Sequence, residues 1–131
     1  MTGETRTWRW VPAHLVVRWH AALIERFGGA SGLRDVGLLE SALTRPVNRA
    51  AYDPDVTIEA LAASYGVGVA KAHAFVDGNK RIAFAVMVTF LHVNGRRLDV
   101  TEAEATKVML DIAAGARNEG KLAEWLSHNA P

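Results

Sequence analysis

Residues Asn79 to Asn94 read NKRIAFAVMVTFLHVN, and from Ile82 to Leu91 (IAFAVMVTFL) a single threonine interrupts the apolar run. Valine and isoleucine would also suit a strand, but the length of the stretch and the Asn94-Gly95 stop after it predict a helix. A surface helix shows one apolar stripe, whereas a helix apolar all round has to be enclosed by other elements. The pattern therefore predicts a central buried helix around which the rest of the chain packs.

Upstream, Thr57 to about Ala72 predicts a long helix with Thr57 as N-cap and Glu59 near its positive end. Ala60, Ala62, Ala63, Ser64, Gly66, Gly68 and Ala70 are small enough to let another backbone approach closely, at about 1 kcal/mol per interior glycine. Pro12 to Phe27 predicts a helix with proline at its start and Gly28-Gly29 past its end. There Leu15, Trp19, Ala22, Leu23 and Phe27 recur at helical spacing and are expected to face the core. A loop, GGASGLRD, leads to a shorter helix near Val36 to Leu43, which Pro46 is expected to close. Arg45 to Asp55 (RPVNRAAYDPD) is the least regular stretch and reads as a loop or short hairpin.

Downstream, Arg96 to Val100 reads as extended, and Arg96-Arg97 as ordinary surface charge. Thr101 and Glu104 form a T-x-x-E capping box that opens a helix toward Ala114. A last short helix is expected around Leu122 to Ser127. Trp19 and Trp125 fall at core positions, and Trp8 and Trp10 are expected to pack an N-terminal segment on the core. With alternating patterns scarce and no repeats, the expectation is an all-α fold in a single domain spanning residues 1–131.

Composition bounds the function. The chain of 131 residues suits one domain, and 50% hydrophobic with 22% charged residues is an ordinary globular mix. A net charge of +1 and a pI near 8.2 do not supply the clustered basic face of a nucleic-acid binder, so no direct nucleic-acid binding is expected. Cysteine is absent, which excludes disulfides and thiolate zinc sites and fits a reducing cytosol. The N-terminus MTGETRTWRW lacks the apolar core of a signal peptide, and the longest apolar run is shorter than the ~20 residues a bilayer needs. A soluble, cytoplasmic protein with no membrane partner is expected.

The start of the buried helix breaks a local rule. Asp77-Gly78-Asn79-Lys80-Arg81 puts two cations in a first turn that is already positive, each disfavoured by about 0.3–1 kcal/mol. A bound anion would remove the conflict, because free N–H groups, the helix dipole and both cations would converge on it. Gly78 keeps the backbone approachable. His73, four residues before Asp77, adds a base that titrates near neutrality, and Asp77 a carboxylate able to hold magnesium. Singly, each has a plainer reading: Asp77 as an N-cap, Lys80 and Arg81 snorkelling to solvent, His73 as structural. Together within nine residues they supply what phosphoryl or nucleotidyl transfer needs. His14, His20, His92 and His128 show no metal-ligand spacing and read as structural or surface residues. Lys71 reads as a solvated helix position.

The string HAFVDGNKR resembles the signature of the Fic/Doc superfamily, H-x-F-x-D/E-x-N-x-R. Its lysine after the asparagine (NKR rather than NGR) is similar to the death-on-curing, or Doc, toxins. GGASGLRDVGLLESALTRP, with Tyr52 soon after, is also similar to Doc-type chains, and the resemblance runs roughly from Val11 to Leu126. It implies a compact helical bundle with the motif loop at the N-terminus of the central helix. It implies His73 as general base, Phe75 as a core anchor, Asp77 as magnesium ligand, Gly78 and Asn79 shaping an anion nest, and Lys80 and Arg81 on the phosphates of ATP.

Most Fic proteins transfer AMP and carry a second arginine three residues after the first, where this chain has Phe84. Doc toxins also lack that arginine; they bind ATP in a reversed orientation and move its γ-phosphate to a threonine of elongation factor Tu, stopping translation. The resemblance thus implies a Doc-type kinase toxin using ATP and magnesium, with an AMP-transferase or a non-catalytic binding module as alternatives. Ala85 departs from the Doc pattern, which has asparagine there. The resemblance also implies a partner, a separate antitoxin of the Phd type whose C-terminal segment folds onto the toxin. The inhibitory S/T-x-x-x-E-G/N pattern that some Fic proteins carry in the same chain does not occur in this sequence. Arg45 to Asp55 sits where Fic proteins place a target-docking flap, and a plain connecting loop fits it equally.

Overall fold

The computed structural model describes residues 7–131; the first six residues of the N-terminal segment read above lie outside the described residues. Six helices follow in order: α1 (Ala13–Phe27), α2 (Val36–Tyr52), α3 (Ile58–Ala72), α4 (Asn79–Val93), α5 (Glu102–Ala113) and α6 (Glu119–Asn129). Among the described residues there is no strand, only an isolated antiparallel bridge between Leu33 and Phe75. The fold is all-α, as the sequence predicts.

α3 and α4 form the centre, and α3 also packs against α2, α5 and α6. Ile82, Ala83, Val86, Met87, Phe90 and Leu91 of α4 are buried, matched by Leu61, Ala62, Tyr65, Val69 and others of α3. The small residues of α3 allow this. A methyl group on Gly66 would come 2.9 Å from Met87 Sδ and 3.2 Å from Leu122 Cδ2, so the glycine sets how closely α4 and α6 approach. One side of α4, with Phe84 and Ala85, is only half-buried, because an open cleft runs along it.

Capping explains the helix limits. Thr57 accepts from Ala60 N–H, and Thr101 and Glu104 close the expected reciprocal capping box. Asn94 does more than stop α4: its side chain accepts from Arg9 N–H at 3.0 Å and donates to the carbonyls of Arg9 and Phe90. That tie lays Trp8 and Trp10 on the Phe90 ring, at centroid distances of 6.2 and 5.7 Å. The buried Tyr65 hydroxyl accepts from Val11 N–H at 3.1 Å and fixes the same segment.

Four expectations are corrected. Pro46 does not end α2, which continues to Tyr52 with the proline inside it. Proline cannot bond the carbonyl four residues back, here that of Ala42, and Gly68 of α3 packs beside that carbonyl. Arg45 to Asp55 is therefore mostly helix rather than a loop, hairpin or flap, and only its last residues form a turn. The inner face of α1 differs in part: Trp19 and Leu23 pack against the core as expected, but Val16 and His20 are the buried residues, and Ala22 and Phe27 are exposed. Finally, Arg96 is not idle surface charge; it pairs with Glu59 at 2.8 Å and donates to the Ala130 carbonyl, tying α3 to the C-terminus.

Candidate functional site

The HAFVDGNKR segment lies where α3 ends and α4 begins. His73 caps α3 in the left-handed region (φ 50°, ψ 43°), and among the described residues no other non-glycine has positive φ. That conformation costs about 1–3 kcal/mol and persists only where neighbours enforce it. It turns the chain out of α3 into a short extended piece. There the Ala74 carbonyl accepts from both Arg34 and Asp35 N–H, and Val76 N–H donates to the Gly32 carbonyl. Phe75 is buried at 2% exposure and stacks on the His20 ring, with centroids 3.8 Å apart and planes at 14°.

Asn79 closes the loop from the other side. Its Oδ1 accepts from Phe75 N–H at 3.1 Å and its Nδ2 donates to Phe75 carbonyl at 3.0 Å. The loop from Phe75 to Asn79 is thus a small ring closed by one amide. Gly78 caps α4 with φ 73° and no side-chain cap, and the first N–H to bond inside the helix is that of Ile82, to the Gly78 carbonyl. The N–H groups of the first turn therefore face outward beside two exposed cations, Lys80 and Arg81.

The Asp77 carboxylate sits at the rim. Its Oδ1 accepts from Gly78 N–H at 2.8 Å and its Oδ2 from Ala30 N–H at 3.3 Å. The Gly78 N–H first, with that of Ala30, holds the carboxyl below the ordinary carboxylate range despite a small opposing desolvation. It is ionised at neutral pH, and each oxygen keeps lone pairs for a cation. Gly29 has to be glycine here: at φ +114° a methyl group would lie 2.7 Å from Asp77 Oδ2. Arg81 lies over the Phe27 ring, 4.4 Å from its centroid.

His73, Asp77, Gly78, Asn79, Lys80 and Arg81 all line one cleft of about 760 Å³, within the ~300–1,000 Å³ of ordinary ligand sites. Leu23 and Phe27 form its α1 wall, and Met109, Leu110 and Ala113 its α5 wall. Its lining combines the cations of the α4 N-terminus with apolar Leu23, Phe27, Met109, Leu110 and Ala113 and with Thr101, Glu102 and Thr106. Such a cleft can take a molecule that carries both a phosphate and an apolar surface. No cluster of three His, Cys, Asp or Glu among the described residues forms a metal cage, so a cation here would be held by Asp77 and by the ligand's own oxygens.

The Fic/DOC family profile matches residues 10–91, which is α1 through most of α4 with the loop between. The chain belongs to the Fic/DOC family. It is similar to a Mycolicibacterium smegmatis protein named Toxin Doc, 44% identical over 84 residues, 60% of this chain and 64% of that relative. The match thus spans just under two thirds of that relative. It is also similar to Protein kinase doc of Escherichia phage P1, 34% identical over 111 residues, covering 85% of this chain and 87% of that one.

Around the Fic/DOC motif, the structure adds residues that sequence reasoning passed over. His20 is buried at 3% exposure, stacked on Phe75, and 2.7 Å from the Asp77 carbonyl. Arg34 donates through Nε and Nη2 to the His73 carbonyl at 3.2 and 2.7 Å. Phe27, expected in the core, instead supports Arg81 at the cleft edge. The one sequence signal for His20 was its position four residues from Val16 on α1; nothing local announced Arg34. No helix among the described residues is long and apolar enough to cross a membrane.

Proposed function

We propose that this chain is a Doc-type toxin, a protein kinase that moves the γ-phosphate of ATP to a hydroxyl of a translation factor, elongation factor Tu, and thereby halts translation. The observation that carries this reading is a single cleft with an exposed imidazole, His73, and an ionised carboxylate, Asp77. Beside them lies the uncapped, doubly cationic N-terminus of α4. The resemblance to a relative named as a protein kinase along 85% of the chain supports it. A separate antitoxin of the Phd type is the proposed regulator, because one relative is named Toxin Doc and the resemblance to Doc toxins implies such a partner.

The residues present fit magnesium and ATP. Magnesium is commonly held by one or two carboxylates plus substrate phosphates rather than by an all-protein cage. A low-pKa Asp77 at the rim, with no competing cluster, suits that arrangement. When bound, the ion would neutralise phosphate charge. Lys80, Arg81 and the first N–H groups of α4 would hold phosphate oxygens. His73, in the cleft and exposed, would accept the proton of the target hydroxyl as that oxygen bonds to the γ-phosphorus and ADP leaves.

Phe84 bears on the alternative of AMP transfer. It is half-buried and packs against the core beside the cleft, so that position supplies no cation to a phosphate. The reading as a non-catalytic module leaves the strained His73 unaccounted for. The test uses the full chain with magnesium, elongation factor Tu and ATP labelled at the α or the γ phosphate. Label moving only from the γ position is expected, and transfer is lost in His73→Ala. Label moving from the α position alone would overturn the kinase reading in favour of AMP transfer.

A further inference from the structure

The side chains of His73 and Asp77 line the cleft, and the backbone carbonyl of each is held by a side chain from outside the loop. Neither holder belongs to the motif. Arg34 comes from the segment between α1 and α2, and both its Nε and its Nη2 reach the His73 carbonyl, at 3.2 and 2.7 Å. His20 comes from the buried face of α1 and reaches the Asp77 carbonyl through Nε2 at 2.7 Å. A carbonyl only accepts, so Nε2 carries the hydrogen and the ring's orientation is set by that bond.

Each contact has a physical reason to be where it is. The His73 carbonyl lies at the C-terminus of α3, where helix carbonyls have no partner and the dipole end is negative. A guanidinium is the side chain best suited to that place, and two N–H groups on one oxygen fix its direction. They fix it at the residue whose left-handed backbone costs energy. The Asp77 carbonyl lies against the buried face of α1, where a leucine in place of His20 would fill the space and leave a part-buried acceptor without this donor. The same ring stacks on Phe75 and would lie 3.5 Å from a methyl group on Gly78. His20 therefore touches the motif at Phe75 and Asp77 and lies close to Gly78.

We propose that Arg34 and His20 are positioning residues of the phosphoryl transfer, each acting through the carbonyl of a reactive residue: Arg34 aims the His73 imidazole, and His20 aims the Asp77 carboxylate. This rests on the kinase reading of the cleft. It requires that the two act separably: Arg34 on the proton-accepting step, His20 on the dependence on magnesium.

The test takes the full chain as wild type, Arg34→Met, Arg34→Lys, His20→Leu and His20→Gln, where the glutamine amide can donate from nearly the place of Nε2. Hydrogen–deuterium exchange is followed in residues 73–79 and, as an internal reference, in residues 102–129. Arg34→Met and His20→Leu are expected to speed exchange in the loop by about tenfold or more, with the reference unchanged. Transfer of γ-phosphate is then expected to show a split. Arg34→Met lowers kcat by ~10- to 100-fold with KM for magnesium-ATP nearly constant, since a small misplacement of a catalytic group has costs of that order. His20→Leu mainly raises the magnesium concentration for half-maximal rate, and Arg34→Lys and His20→Gln recover most of each loss.

Loop exchange unchanged in both Arg34→Met and His20→Leu would overturn the proposal. So would a His20→Gln variant that keeps wild-type protection yet shows the full defect of His20→Leu. If His20→Leu exchanges fast throughout the chain, His20→Gln and the exposed Arg34 variants decide. If wild type moves no label at all, the kinase reading falls, while the exchange data still decide whether these two residues hold the loop.

Discussion

Asn79→Asp changes a single atom in the amide that closes the motif loop, and the structure assigns that atom a specific loss. Oδ1 would still accept from Phe75 N–H, but the Nδ2 that donates to the Phe75 carbonyl at 3.0 Å becomes an oxygen facing an oxygen. Phe75 is 2% exposed, so water does not readily replace the lost donor. An unpaired buried acceptor costs about 1–3 kcal/mol, and a negative charge in the first turn of a helix returns about 0.3–1 kcal/mol. What remains is a destabilisation of about 1–2 kcal/mol, or roughly 3–8 °C in melting temperature for a domain of this size. The sign with pH follows from linkage. Protonation of the introduced carboxyl restores a donor toward the Phe75 carbonyl, so its pKa is raised in the folded state. The penalty is then small below the unfolded carboxyl value of about 3.9 and fully developed once pH exceeds the folded value. Thermal melts of both proteins from pH 4 to pH 8 should show the gap widening as pH rises. Equal melting temperatures at pH 8, or a gap independent of pH, would refute the assignment of Asn79 as the clasp of the loop.

Asp77 has the opposite sign: backbone N–H donors, Gly78 first and then Ala30, depress its pKa. Its contribution to stability is present above the ordinary carboxylate pKa and fades as pH falls through the depressed folded value. Asp77→Asn should flatten that part of the acid limb in melts from pH 2 to 6, and should abolish magnesium-dependent transfer. Phe27 supports Arg81 through its ring, so Phe27→Leu should raise KM for ATP by about two- to fivefold, the worth of an exposed cation–π contact, and Phe27→Trp should restore it. Gly68→Ala should raise the melting temperature by a few degrees, gaining about 0.5–1 kcal/mol of helix propensity. Its methyl group would meet Ala42 only at 3.5 Å or more, whereas Gly66→Ala meets Met87 Sδ at 2.9 Å and should bring no such gain.

How much of this was legible in the sequence depended on whether the deciding interaction was local. The limits of α3 and α5 were, because Thr57, Thr101 and Glu104 act within four residues of themselves. The end of α2 was not. Pro46 is a strong local stop signal, and nothing near it in sequence shows that the helix runs on to Tyr52 along its packing against α3. The face of α1 was legible only in part, at Trp19 and Leu23, for a related reason. Its larger apolar residues were assigned to the core, yet the surface it packs on is not wholly apolar. Part of that surface is the motif loop, with a free carbonyl at Asp77 and a ring at Phe75, and a histidine satisfies both where leucine or phenylalanine satisfies one.

The same distinction separates the motif from its supports. Residues 73–81 are contiguous, so the imidazole, the carboxylate and the helix N-terminus that they bring to one cleft are readable as a string. Arg34 and His20 act on backbone carbonyls 39 and 57 residues away, and a carbonyl is present in every residue, so no pattern of side chains records which one is gripped. A carbonyl is also indifferent to the identity of the residue that carries it. The grip on His73 and Asp77 would survive any change in those two side chains. Inactivating the chemistry with His73→Ala or Asp77→Asn should therefore leave the loop in place with its holders engaged, whereas loss of a holder should leave the chemistry intact but misdirected.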